Sequence, residues 1–346
     1  MLTLPNRLVN DVILPLRRRL TGDVFASAER LRAHIERRRR RPVNPRPPRR
    51  VGREIALNLL RRDGWPVYEA KPRERAADAS ILYLHGGAYI NEITRWHWLL
   101  VRQLVREVPA RCIVPIYPLA PFATAAEVVP RVAELARELI AESGPERTVL
   151  IGDSAGGGMA LAASLWLRDQ GLSQPSRLIL ISPFLDVTMS DPRQDALASK
   201  DTMLRRPGLV EAGRLYAGLL GLDDPRVSPI NADFGGLPPI TVFTGTHDLL
   251  DPDSQRLAAL GRQAGIPVDL YEVHGAPHAF PAMPTSQGAR ARTLIVETCQ
   301  RAMLPVSRKD AAGEAIAIRR AQELRRIARK DPRTTGERSG GTNGPD

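Results

Sequence analysis

Two hydrophobic rhythms alternate along this chain. Short apolar or β-branched runs recur at residues 80–84, around Cys112, and at 147–151, 239–245 and 268–273, and each reads as a strand. Between them apolar residues recur at helical spacing, as over 155–167. Strand–helix alternation sustained from residue 79 to residue 303 predicts one α/β domain around a mostly parallel sheet flanked by helices. The segment 184–238 lies between two of the strands and is too long for a simple crossover; it carries a helical stretch over 207–220. Leu204, Leu215, Tyr216 and Leu219 in it fit either an apolar pocket or ordinary core packing.

Outside that region the pattern changes. Leu4, Leu8, Val12, Leu16 and Leu20, with Val9 and Ile13 beside them, predict an amphipathic helix over 3–20 that Pro15 should kink. A second helix is expected over 24–38, with Phe25, Ala28, Leu31 and Ile35 on one face. The arginine run 37–41 and the Pro-rich stretch to Arg50 read as a stiff, exposed link. After Ser307 one helix is expected over 311–329, then a Gly-, Thr- and Asp-rich end without stable structure. The organisation expected is a basic helical arm over 1–50, a main domain over 51–305 with the insertion 184–238, and a basic tail over 306–346.

Charge sharpens this division. The 346 residues carry a net +12. Residues 1–75 hold 20 Lys+Arg against 8 Asp+Glu, and residues 306–346 hold 10 against 6. The remainder holds 20 against 24 and is slightly acidic, so the main domain is not built to bind nucleic acid. No aromatic residues interleave the N-terminal arginines, which argues against single-strand binding there too. Cys112 and Cys299 fall in an expected strand and an expected helix, a usage that suits a reducing cytoplasm. The N-terminal apolar stretch is broken by Asn6, Arg7, Asn10 and Asp11 and does not read as a signal peptide, and no run is long enough for a membrane-spanning helix.

The chemistry lies at the strand ends. Gly152-Asp153-Ser154-Ala155-Gly156-Gly157 follows one strand and opens a helix. Gly-x-Ser-x-Gly in that setting is a nucleophile elbow, in which the glycines make room for a serine on a sharp turn. The helix N-terminus also aims free N–H groups at the reacting centre. His85-Gly86-Gly87-Ala88-Tyr89 follows another strand, and its glycine pair lets bare backbone donors approach a substrate oxygen. Gly86, Gly87 and Ala155 are the candidate oxyanion donors, within a motif opened by His85. Asp248 is the first acid past the strand 239–245; Asp251 and Asp253 sit where a helix begins and read as caps. Past the strand 268–273 come His274 and His278, of which His278, deeper in its loop and followed by Phe280, is the preferred base. The chain order Ser, Asp, His fits this arrangement.

With these residues in place the sequence resembles the α/β-hydrolases of the hormone-sensitive-lipase-like branch, bacterial esterases related to arylacetamide deacetylase. The resemblance runs from about Tyr83 to about Arg301. It rests on the motifs above with Asp248-x-Leu250 and His278-x-Phe280, and on Tyr117-Pro118-Leu119-Ala120-Pro121, Ser182-Pro183-Phe184-Leu185-Asp186, Val227-Ser228-Pro229 and Gly236-Leu237-Pro238-Pro239. The family usually has a basic residue where Pro118 stands and a Glu where Phe122 stands, so local salt bridges should differ here.

The resemblance implies an α/β-hydrolase fold whose helical cap comes from the N-terminal segment and the insertion 184–238. It also implies a serine carboxylesterase acting on short- to medium-chain acyl esters through Ser154, His278 and Asp248, with no cofactor or metal. The same apparatus would serve a lactone hydrolase or an amide deacetylase. Relatives that lost the histidine act as small-molecule receptors, a reading that the presence of all three residues disfavours. The expected partner is a small-molecule ester and not nucleic acid. A homodimer, and peripheral membrane contact through the basic N-terminal helix of a cytoplasmic protein, both stay open.

Overall fold

The computed structural model describes residues 3–304; the helix expected over 311–329 and the tail after it lie outside the described residues. Eight strands form one sheet: β1 (Ala56–Arg62), β2 (Trp65–Lys71), β3 (Ala79–Leu84), β4 (Ala110–Pro115), β5 (Thr148–Asp153), β6 (Arg177–Ile181), β7 (Ile240–His247) and β8 (Val268–Pro277), in the order β1-β2-β4-β3-β5-β6-β7-β8. From β4 to β8 every pairing is parallel, while β1–β2 and β2–β4 are antiparallel. All residues of β3 and β5 are buried. A strand covered by helices on both faces must be apolar throughout, which is why these two read as unbroken runs.

The strand order reverses at β3, which has β4 on one side and β5 on the other. In an open parallel sheet that reversal leaves a crevice beyond the strand C-termini. The chain leaves β3 into His85-Gly86-Gly87 and leaves β5 into Ser154, so the topology delivers both motifs to one crevice.

The helices are α1 (Leu14–Thr21), α2 (Ala28–Arg40), α3 (Arg49–Glu54), α4 (Arg95–Glu107), α5 (Ala125–Ser143), α6 (Ala155–Asp169), α7 (Arg193–Leu197), α8 (Arg206–Ala217), α9 (Asp251–Gln263) and α10 (Ser286–Ala302). The hairpin of β1 and β2 was hidden in the arginine-rich flank, because β1 is an edge strand with four exposed residues in succession and little alternation. Its signal was Asp63-Gly64, whose φ values of 48° and 88° make the tight turn that Asp-Gly favours.

The arm differs from its expected form in one important respect. Ser27 caps α2 by accepting a hydrogen bond from Arg30 N, and Leu31 and Ile35 are buried. This helix packs on α8 of the insertion: Arg32 Nε donates to Glu211 Oε1 at 2.7 Å. Gly208 lies so close that a Cβ there would meet Phe25 Cα at 2.4 Å. The first helix, by contrast, does not bury its leucine stripe. It widens to a π-helix over Leu8–Ile13 just ahead of Pro15, which has no N–H to give, and continues as α1. Only Val9 and Leu14 are buried, whereas Leu4, Leu8, Val12, Ile13, Leu16 and Leu20 are exposed. The helix is held by polar contacts instead, with Asn10 Nδ2 donating to Gly275 O at 3.1 Å and Leu4 N to Pro284 O at 2.8 Å.

Two smaller expectations also change. Leu219 is fully exposed and lines nothing, whereas Leu204 and Tyr216 are buried, the latter stacked on Tyr89 at 3.7 Å. Asp251 and Asp253 lie in the first turn of α9 but do not cap it; Leu250 is the N-cap residue. Their carboxylates turn inward to Thr244 and Gln194.

Candidate active site

The turn after β5 is strained and locked. Ser154 has φ 51° and ψ −120°, a conformation that costs about 1–3 kcal/mol and persists only where its surroundings enforce it. They do so sterically and by hydrogen bonds. A Cβ on Gly152 would lie 2.1 Å from Gly156 O, and one on Gly156 would lie 2.1 Å from Leu84 O. No side chain fits at either position. Ser154 N donates to Ile181 O at 2.8 Å, and Ser154 O accepts from Gly157 N and Phe184 N, each at 2.9 Å.

Three sequence-identified residues meet at this turn. His278 Nε2 lies 3.0 Å from Ser154 Oγ, and His278 Nδ1 lies 3.0 Å from both carboxylate oxygens of Asp248. All three side chains are buried. With its Nδ1 proton directed at Asp248, the imidazole presents a bare Nε2 lone pair to the serine hydroxyl. That is the geometry a general base needs. His274 lies on the exposed edge of β8, facing His247 with ring centroids 6.5 Å apart, and has no part in this chain of contacts.

Gly86 and Ala155 adjoin this turn, and Gly87 follows Gly86 in the loop after β3. A Cβ on Gly86 would fall 3.0 Å from Ser154 Cβ and would collide with Asp153, so glycine is what lets this loop approach the serine. Among the described residues the N–H groups of Gly86 and Gly87 meet no acceptor, and neither does that of Ala155, the first residue of α6. His85 sets the loop's orientation. It is buried and stacked on Tyr117 at 4.3 Å, and its Nδ1 lies 2.8 Å from Gly86 O. Because a trans peptide holds its C=O and N–H on opposite sides, fixing the Gly86 carbonyl turns the Gly87 N–H the other way. Burial, and His97 nearby, push the His85 pKa down to about 4, so it is a neutral ring that can donate from Nδ1.

Several supporting residues act through long-range contacts that no local pattern shows. Asp153 accepts from Tyr83 Oη at 2.6 Å and lies 3.2 Å from His97 Nε2, beneath Gly86. Burial alone would raise its pKa; the contacts with His97 and Tyr83 more than offset that and hold the carboxyl below the usual range. Ser182, itself at φ 46°, accepts from Ala279 N at 3.0 Å and so fixes the residue after His278. Arg292 Nη1 donates to Pro281 O and Met283 O, clamping the turn that follows.

Asp201, from the insertion, is the most consequential of these. It is 1% exposed. Its carboxylate accepts from Met203 N and Leu204 N, and from Leu249 N at 2.9 Å, the residue directly after Asp248. Burial, and then the Asp248 charge, raise its pKa to about 6. Asp201→Leu would orphan the buried N–H groups of Leu204 and Leu249, each worth about 1–3 kcal/mol, and the part-buried one of Met203. It should lower both melting temperature and kcat, the latter by tenfold or more. Asp201→Asn should be milder in both, yet shift the pH profile downward, because the negative charge helps hold the His278 proton. Equal activity and equal profiles in all three proteins would remove Asp201 from any positioning role.

The His278 pKa follows from opposing effects. Burial would lower it; the Asp248 charge and hydrogen bond, with Asp201 and Asp153 beyond, outweigh burial and raise it. A base works when neutral, so a raised pKa delays its activity to higher pH. The acid limb of kcat/KM should therefore have its midpoint above the ordinary histidine value of about 6.5. A limb centred below pH 6 would contradict this account of the histidine.

Comparison with known proteins bears on the fold and the family. A family model described as alpha/beta hydrolase fold matches residues 81–282. A triacylglycerol lipase of Mycobacterium tuberculosis is 34% identical over 223 residues, covering 64% of this chain; the match spans only 44% of that protein's length. An esterase of Acinetobacter venetianus is 32% identical over 216 residues, covering 62% of this chain and 71% of its own. A hormone-sensitive lipase from a metagenome library superposes with a TM-score of 0.74 at 27% identity, covering 88% of this chain and all of the other.

Proposed function

This chain belongs to the α/β-hydrolase fold family, in its branch of bacterial esterases similar to hormone-sensitive lipase, and from that premise we propose that it is a serine carboxylesterase acting on short- to medium-chain acyl esters. The observation that carries the reading is the unbroken contact from Asp248 through His278 to Ser154 Oγ. In this mechanism Ser154 Oγ bonds to the acyl carbon while its proton passes to His278 Nε2. Asp248 holds the imidazole in the required tautomer and stabilises the imidazolium. The N–H groups of Gly86, Gly87 and Ala155 receive the oxyanion, and one such donor can be worth ~3 kcal/mol. His278 then gives the proton to the leaving alcohol as the C–O bond breaks. Water, deprotonated by the same base, releases the acid and restores Ser154.

The cap belongs to the same proposal. α2 and α8 pack together, and α2 reaches the oxyanion loop through His34 Nε2, 2.7 Å from Asn91 Oδ1, while Asn91 N donates to Gly87 O. The stacked pair Tyr89 and Tyr216 packs beside α6, and in this proposal it closes off the acyl site. Turnover of p-nitrophenyl esters should accordingly fall as the acyl chain grows beyond about eight carbons. Faster turnover of a long-chain triglyceride emulsion than of a soluble butyrate ester would overturn the chain-length reading. A lactone and an aryl acetamide in the same panel test the two other acyl-transfer readings directly.

A further inference from the structure

The leucine stripe of the first helix is the largest unexplained surface feature. Leu8, Val12, Leu16 and Leu20 recur every fourth residue, with Ile13 beside them, and all are exposed, Leu20 to 78%; Leu4, also exposed, lies just ahead of the helix. A run of large apolar side chains left open along one helix is uncommon on a soluble monomer and marks a contact surface. The segment that carries it is net basic. Residues 4–20 hold Arg7, Arg17, Arg18 and Arg19 against the single acid Asp11.

That charge decides between occupants. A second copy would bring the same arginines face to face. The segment 306–346 of this chain is itself net basic, with 10 Lys+Arg against 6 Asp+Glu. Both would be repelled. An anionic bilayer surface offers an apolar layer to the exposed leucines and negative headgroups to a segment of net positive charge. We propose that this helix is a peripheral membrane-docking element that lies in the interface of an anionic lipid surface. No helix among the described residues is long and apolar enough to cross a membrane, so the contact is one of lying on the surface.

Its attachment gives the docking a purpose. The polar side of the helix is bound to the segment that carries His278. Asn10 Nδ2 donates to Gly275 O, Asn6 Oδ1 accepts from Gln287 N at 3.4 Å, and Leu4 N donates to Pro284 O. One helix, about 10–12 Å across with its side chains, therefore separates the lipid from the histidine loop. Esters partitioned into the headgroup region would be held beside the crevice.

The test is cosedimentation of the full chain with vesicles of neutral phosphatidylcholine, and of phosphatidylcholine with one-third phosphatidylglycerol, at low and high salt. Each sample is also assayed on a soluble ester, which reports the fold independently of docking. Wild type should pellet with the anionic vesicles at low salt, and high salt should weaken this. The triple variant Leu8→Ser/Leu16→Ser/Leu20→Ser should lose about tenfold or more of the binding with soluble-ester turnover unchanged. The docking role is overturned if wild type ignores anionic vesicles at low salt, or if the triple variant binds them equally well. It is overturned equally if light scattering shows a dimer that the triple variant breaks while neither protein binds lipid, which would place a second copy on the face.

Discussion

Replacement of Ser154 by Ala should lower ester turnover by at least about a thousandfold and leave the protein folded. Loss of a nucleophile removes the covalent route and leaves only what the oxyanion donors and binding supply. The strained turn does not depend on the hydroxyl. It is held by Ser154 N to Ile181 O, by Phe184 N to Ser154 O, and by backbone crowding at Gly152 and Gly156. Alanine meets the same backbone strain as serine, and the Oγ makes its one side-chain contact with His278. The melting temperature should therefore move by only a few degrees. Rates with p-nitrophenyl butyrate beside a thermal melt check both halves of the expectation. A variant that kept a tenth of the wild-type rate would place the nucleophile elsewhere.

His278→Ala should be about as damaging as the serine change, and His274→Ala should leave kcat within roughly twofold. Residues acting as one unit lose most of their effect when any member is removed, so the histidine cannot be much milder than the serine. His278 is fully enclosed, touching Ser154 on one side and Asp248 on the other. His274 sits at an exposed position of β8, out of reach of Ser154. A side-by-side assay that ranked His274 as the more costly loss would transfer the base to that residue.

The core of the fold was legible because its strands are buried on both faces. β3, β5 and β7 each appear as an apolar run ending in a chemically distinctive loop, while β8, a half-exposed edge strand, shows instead apolar residues mixed with polar ones ahead of its histidine loop. The elbow was legible for a steric reason: only glycine fits at 152 and 156. Ser154 and Asp248 could be named because each comes first past an expected strand, and His278 because it lies deeper in its loop ahead of Phe280; in the structure β8 runs on to Pro277, so His274 falls inside the strand and His278 directly follows it. What the sequence concealed acts at long range. Asp201 reaches Leu249 across 48 positions, His97 reaches Asp153, and Ser182 reaches Ala279; no local pattern predicts such pairings. The leucine stripe failed differently. Its helical spacing was real, but periodicity identifies a face without saying whether protein or another medium covers it.

The central claim is that Ser154 forms an acyl-enzyme under the action of His278. The most direct measurement is labelling with a fluorophosphonate, which reacts with an activated serine, followed by intact mass and peptide mapping. The account predicts one adduct per chain, on the peptide that contains Ser154, with labelling abolished in Ser154→Ala and slowed at least about a hundredfold in His278→Ala. An unlabelled wild-type protein, or an adduct mapped to any other residue, would contradict it.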